Sequence, residues 1–160
     1  MRFNITCVGR MKSGSDKDLF DRYIDRARKT GRSLGLADVS VREIAESRAQ
    51  RGPDRKAEEA ASLEACFPSG GKLVVLDERG KSLSSPDFSS KLEAWKDDGV
   101  PDVSFVIGGA DGHGDRILAR ADLKIAFGAM TWPHQIVRIL LAEQIYRALT
   151  IQAGHPYHRE

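Results

Sequence analysis

Three apolar runs of this 160-residue chain end in segments suited to holding a small molecule. They are Leu76-Asp77-Glu78-Arg79-Gly80, Ile107-Gly108-Gly109-Ala110-Asp111-Gly112 and Phe127-Gly128-Ala129-Met130-Thr131-Trp132-Pro133-His134. Glycine lets backbone amides and carbonyls approach a ligand with no β-carbon in the way. In open α/β sheets the loops that do this converge beyond the C-terminal ends of the strands. Three such loops predict one shared pocket. The dinucleotide fingerprint fails, because Gly112-His113-Gly114 is followed by Ile117 where a third glycine is required, far from the first strand. The phosphate-loop motif fails as well: Gly9 and Gly14 have the right separation, but Ser15-Asp16 stands where Lys-Ser/Thr belongs. Nicotinamide and nucleoside-triphosphate chemistry are therefore disfavoured. Cys7 and Cys66 are too isolated for a disulfide framework, and no clustered Cys/His spacing suggests a metal.

The elements that must carry these loops alternate. Residues 2–8 read as a strand, with Phe3, Ile5 and Cys7 on one face and Arg2, Asn4 and Thr6 on the other. Leu19, Phe20, Tyr23, Ile24 and Ala27 recur at helical spacing, and Gly31 or Gly35 can end that helix. Val39, Val41 and Ile44 suggest a second strand. Pro53 opens a helix through Ala57, Ala60, Ala61 and Leu63. Residues 73–76 and 103–107 form apolar runs that suit strands covered on both faces, and residues 123–127 are a third candidate. Ser85-Pro86 supplies an N-cap and first helical residue for a helix carrying Phe88, Leu92 and Trp95, and residues 115–120 suit a short helix. The pattern implies an α/β fold with a mostly parallel sheet and helices on both faces, in a single domain spanning residues 1–160. The last helix, from Pro133 to about Gln152, is apolar over a wider arc than one packing surface needs. Its own sheet and a second copy of the chain are the two surfaces expected to cover it.

Hydrophobic residues make up 41% and charged residues 30%, the composition of an ordinary globular chain. Neither a signal peptide nor a bilayer-spanning stretch is present, so a cytoplasmic location without membrane partner is expected. A net charge of +2 means that any nucleic-acid site must be a local patch. Arg22, Arg26, Lys29 and Arg32 interleave with Asp18, Asp21 and Asp25 and read as an ion-paired face. Arg48, Arg51, Arg55 and Lys56 are less balanced by acids and are the better phosphate-contacting loop.

The segments 105–112, 130–138, 141–147 and His155-Pro156-Tyr157-His158-Arg159, in this order, resemble the RlmH family. These are SPOUT-class methyltransferases of bacterial large-subunit (23S) ribosomal RNA that methylate N3 of a pseudouridine. The resemblance runs the length of the chain and is densest after Leu73. It implies S-adenosyl-L-methionine as cofactor, a homodimer, a C-terminal trefoil knot, and ribosomal RNA or the assembled ribosome as partner, with no DNA target. It also implies that Leu76, Gly108, Phe127, Gly128, Ala129, Met130, Thr131 and Trp132 contact the cofactor.

Methyl transfer from a sulfonium is an in-line displacement that needs alignment and no metal. An imide nitrogen is mostly protonated at neutral pH, so a base or a stabiliser of the developing anion should help. Histidine is the residue type suited to that role at neutral pH, which makes His134, His155 and His158 candidates, although His134 equally suits a helix start. His155, Tyr157, His158 and Arg159 form a polar tail, expected to pack across the cofactor pocket of its own or the partner chain. Glu143 and Arg147 stand at the spacing of a helical ion pair, or orient substrate or subunits. Arg138 can reach a phosphate or cover a dimer rim. Two other readings remain: a methyltransferase of another RNA, and a ribosome-binding protein without activity.

Overall fold

The computed structural model describes residues 1–159. Strand and helix alternate throughout: β1 Arg2–Val8, α1 Ser15–Ser33, β2 Asp38–Ile44, α2 Gly52–Glu64, β3 Lys72–Lys81, α3 Ser85–Asp97, β4 Asp102–Ile107, α4 Asp115–Arg120, β5 Leu123–Ile125 and α5 His134–Gln152. The five strands form one sheet in the order β2-β1-β4-β3-β5, and every pairing is parallel. Alternation along the strands sorts the core into two layers. Phe3, Ile5, Cys7, Val74, Leu76, Val103, Phe105 and Ile107 pack with residues of α1, α3 and α5. Val8, Leu73, Val75 and Val106 pack with Ala60 and Leu63 of α2 and Ile117 of α4. Burial on both faces is what a parallel sheet requires, and β4 is buried along its whole length. Asp102 at its start is tolerated there because Arg2 Nε and Nη2 donate to its two oxygens at 2.9 Å and Asn4 Nδ2 at 3.1 Å.

The neighbouring strands β3 and β4 send their helices to opposite faces, α3 to one layer and α4 to the other. A crevice opens between loops that diverge in this way. On the far side of β3, the chain of β5 passes very close: a β-carbon on Gly80 would lie 2.5 Å from the Ile125 carbonyl carbon. Only glycine fits there, and the β3–β5 register shifts between Leu76 and Lys81 as the strands cross.

The structure corrects three expectations. The cap of α3 is Ser84, whose hydroxyl accepts from the Asp87 amide at 3.2 Å, so Ser85 is already helical. Much of the apolar arc of α5 is covered within the chain, because α5 packs against both α1 and α3 above the sheet, while Ile136, Val137 and Leu140 stay half-buried; the covered part of that arc is no argument for a second copy. Arg138 is neither at a rim nor free for phosphate. It is only 4% exposed, and its guanidinium donates to the Val8 and Gly9 carbonyls at 2.7 and 3.0 Å and to Glu43 Oε1 at 2.9 Å. It ties the start of α5 to the end of β1. Arg138→Met should lower the free energy of unfolding by about 2–4 kcal/mol, because it leaves buried acceptors unpaired, a loss readable in urea denaturation.

Candidate active site

The ends of β3, β4 and β5 enclose a cavity of about 390 Å³, within the usual range for a small-molecule site. Leu76, Ile107 and Ile125 close its floor, Gly108 to His113 form one wall, and Phe127 to Trp132 form the opposite lip. Each wall is shaped locally. Gly109 and Gly112 bridge across the β4 loop, with Gly112 at φ +77°, a left-handed conformation that favours glycine. Gly128 at φ +98° starts the lip, and Trp132 Nε1 donates back to the Phe127 carbonyl at 3.1 Å to close it. After β3, Asp77 accepts the Arg79 amide at 2.9 Å, turning the loop toward the cavity.

Asp77, Glu78, Asp111 and Asp115 outnumber Lys56 and Arg79 along the lining, so the site favours a ligand carrying positive charge. Asp111 also anchors its loop: Arg55 holds it through two hydrogen bonds of 2.6 and 3.0 Å. That bond and the Arg55 charge keep the Asp111 carboxyl below its usual range. Arg55 further donates to the Ala49 and Gln50 carbonyls. It is thus engaged in shaping the site and is not a free phosphate ligand.

Of the residues expected at the cofactor, Leu76, Gly108, Phe127, Gly128, Met130, Thr131 and Trp132 line this one cavity. Ala129 sits exposed on the same lip and does not line it. His134 faces the cavity from the first turn of α5. The polar candidates gather elsewhere, on the C-terminal half of α5. Glu143 Oε1 accepts from Arg147 Nη2 at 2.5 Å and from the Tyr157 hydroxyl at 3.0 Å. Arg147 Nη1 lies 3.3 Å from His158 Nδ1, and its guanidinium stacks 4.9 Å from the Tyr157 ring centroid. Tyr157 also packs on Tyr146, with centroids 4.7 Å apart. His155 Nδ1 accepts the Tyr157 amide at 3.1 Å, and Arg159 is exposed. None of these residues lines the cavity of their own chain. Burial, then bonds to Tyr23 and Glu143, raise the Tyr157 hydroxyl above its ordinary value, so it stays a proton donor at neutral pH.

On α1, Asp21 and Asp25 pair with Lys17 and Arg28, not with the stripe that was expected to match them. Arg26 lies over the Tyr23 and Tyr146 rings instead, at 5.9 Å from each centroid. The sequence reading missed His113, which is buried in the cavity wall with Nε2 3.1 Å from the Leu76 carbonyl oxygen. Its place between two loop glycines was the available signal.

Fold and site define an α/β protein whose nucleoside-sized cleft is built from three strand-end loops. Comparison with known proteins specifies it further. The family model described as a predicted SPOUT methyltransferase matches residues 1–158. Ribosomal RNA large subunit methyltransferase H of Xanthobacter autotrophicus is 54% identical over 159 residues, with 99% of both chains covered. The protein of the same name from Rhizobium rhizogenes is 52% identical at the same coverage. A probable methylase family protein from Haemophilus influenzae shares the fold, with a TM-score of 0.51 and 13% identity, over 99% of this chain and 70% of that one. The chain therefore belongs to the SPOUT methyltransferase family of S-adenosylmethionine-dependent enzymes, grouping with the ribosomal RNA large subunit methyltransferases H.

The cavity suits that cofactor. Its apolar floor, its glycine-lined wall and its excess of carboxylates match a flat nucleoside joined to a cationic sulfonium. The wall is tight at Gly108, where a β-carbon would lie 3.2 Å from the Gly112 carbonyl carbon and from His113 Cε1, so the wall must shift to admit one. Gly108→Ala should weaken S-adenosylmethionine binding about tenfold or more while shifting the melting temperature little. Calorimetric titration beside a thermal melt would separate these effects.

Proposed function

We propose that this chain, acting as a single SPOUT-type domain and a homodimer in the cytoplasm, transfers a methyl group to N3 of a pseudouridine in large-subunit (23S) ribosomal RNA. The single observation that supports it most is the pocket itself: Leu76, Gly108 and Met130, drawn from three separate segments, line one cavity. Full-length identity to proteins named as ribosomal RNA methyltransferases supports the substrate. When bound, S-adenosylmethionine supplies a methyl group carried on a sulfonium. Leu76, Gly108 and the lip from Phe127 to Trp132 would hold it, with the carboxylates along the lining complementing the charge.

The polar tail belongs, on this reading, to the partner's pocket. It is fastened to α5 through Glu143 and Arg147 and so cannot fold back over the cavity without breaking those bonds. Meanwhile Met130 and Trp132, 76% and 41% exposed at the mouth, are large apolar side chains with nothing of their own chain above them. A second copy that brought its tail there would cover them and complete the site. Glu143 accepts from Arg147 and Tyr157 at Oε1 and from Gln144 at Oε2, which makes it the tail's anchor. With Tyr157 bracing the tail through its bond to Glu143, His158 and Arg159 then offer donors to the base and a cation to its phosphates, while the imide proton leaves to water. The tight crossing of Ile125 behind Gly80 supports the knotted C-terminal topology.

Labelled-methyl transfer to ribosomes and to isolated ribosomal RNA, followed by mapping of the modified nucleoside, tests the assignment. N3-methylpseudouridine is expected, and label at any other nucleoside would overturn it. The shared site is tested by co-expressing a Gly108→Ala chain with one lacking residues 155–160. At cofactor concentrations well below the Kd of the Gly108→Ala chain neither parent should methylate appreciably, whereas mixed dimers should recover roughly a quarter of wild-type activity, since half the molecules then hold one complete site. No recovery would place tail and pocket in the same chain.

A further inference from the structure

The side chain of His113 stands between two walls of the cavity. Its Nε2 is 3.1 Å from the carbonyl oxygen of Leu76 at the end of β3. Its Cε1 lies against Gly108, where a β-carbon would come within 3.2 Å. The residue is 6% exposed, and among the described residues its Nδ1 has no hydrogen-bond partner. A carbonyl oxygen brings no proton, so Nε2 must carry one. Burial pushes the imidazole below its ordinary range, with His134 adding to the effect and the Leu76 and Val106 carbonyls and Asp77 opposing it. The ring is then neutral at pH 7, with a bare nitrogen turned into the protein. An unpartnered buried nitrogen is costly. Its persistence points to a ring whose orientation is dictated by the other edge.

We propose that His113 is a positioning residue for the adenosyl ligand: its Nε2–H fixes the direction of the Leu76 carbonyl, and its ring, seated on Gly108, sets the width of the slot between β3 and β4 loops. The inference rests on the cofactor reading above. Leu76 and Gly108 both face the cavity, so a displacement of either peptide changes the slot a flat ring must enter. Simple packing could be served by leucine, but aiming a carbonyl needs a donor at the ε position. Glutamine can place an amide N–H near that point, which gives a conservative rescue.

S-adenosylhomocysteine, titrated calorimetrically, is the probe. If the wild-type protein did not bind it, the cofactor reading itself would fail, whatever His113 does. Given wild-type binding, His113→Leu should weaken it about tenfold or more and His113→Gln should regain most of the loss. Equal weakening in both variants, or wild-type affinity in His113→Leu, overturns the role. Nitrogen-15 spectra of the imidazole in the intact protein give an answer that needs no variant to fold. The neutral Nε2–H tautomer should dominate at pH 7 and outlast that of a free imidazole on acidification. An imidazolium or an Nδ1–H tautomer at pH 7 would sink the proposal.

Discussion

A parallel sheet must return each strand through a helix, and two adjacent strands whose helices leave to opposite faces cannot close the gap between their ends with regular structure. Here β3 and β4 are that pair, with α3 below one face and α4 below the other. Everything catalytic depends on how the gap is lined. Gly108 and Gly109 let the β4 loop pack closely on its own backbone and on Glu59 and Val8, and Gly112 and Gly128 supply the left-handed bends that shape the two sides. The cavity is therefore a consequence of topology preserved by glycine.

Holding such an opening requires rigidity around it, because loops near a cavity have few apolar contacts of their own. The structure provides it with charged groups used internally. Arg138, at the base of the lip, pins α5 to β1, and Arg55 pins the β4 loop through Asp111. Asp122 does the same at the start of β3, accepting from the Leu73 amide at 2.8 Å and from Lys72 at 2.9 Å. Each of these side chains satisfies backbone or charge that irregular chain would otherwise leave unpaired. Basic residues that look available for RNA in the sequence are thus partly spent on architecture.

That division explains what the sequence revealed. Element order and the strand-end pocket were legible because apolar runs and glycines carry local signals: Leu73–Leu76, Val103–Ile107 and Gly108-Gly109 announce two strands and a loop without tertiary knowledge. The role of Arg138 was not legible, since an arginine at helical spacing looks the same whether it meets solvent or the Val8 carbonyl. The arc of α5 misled for a related reason, as periodicity counts buried faces but cannot name the neighbour, here α1 and α3. His113 was hidden because its partner, the Leu76 carbonyl, lies 37 residues away and has no side-chain signature.

The separation of tail and pocket within one chain is the observation that most constrains the catalytic assembly. A single subunit has a cavity with an apolar, uncovered mouth at Met130 and Trp132, and a tail of donors fastened at a distance from it. On the proposed reading neither half would be useful alone: alignment of a nucleophile with a methyl group demands that the base be gripped beside the pocket, where small displacements cost heavily in rate. Flexibility in the tail would defeat that grip, and the bonds from Glu143 to Arg147 and Tyr157 remove it. The two-fold dimer proposed above would resolve this geometry, because the same contact that covers the mouth of one subunit would cover that of the other. The cavity touches α5 at His134 and Val137 in its first turn, and the tail is fastened further along it at Glu143 and Arg147, so the helix spaces the two, and on the proposed reading that spacing decides which cavity the donors serve.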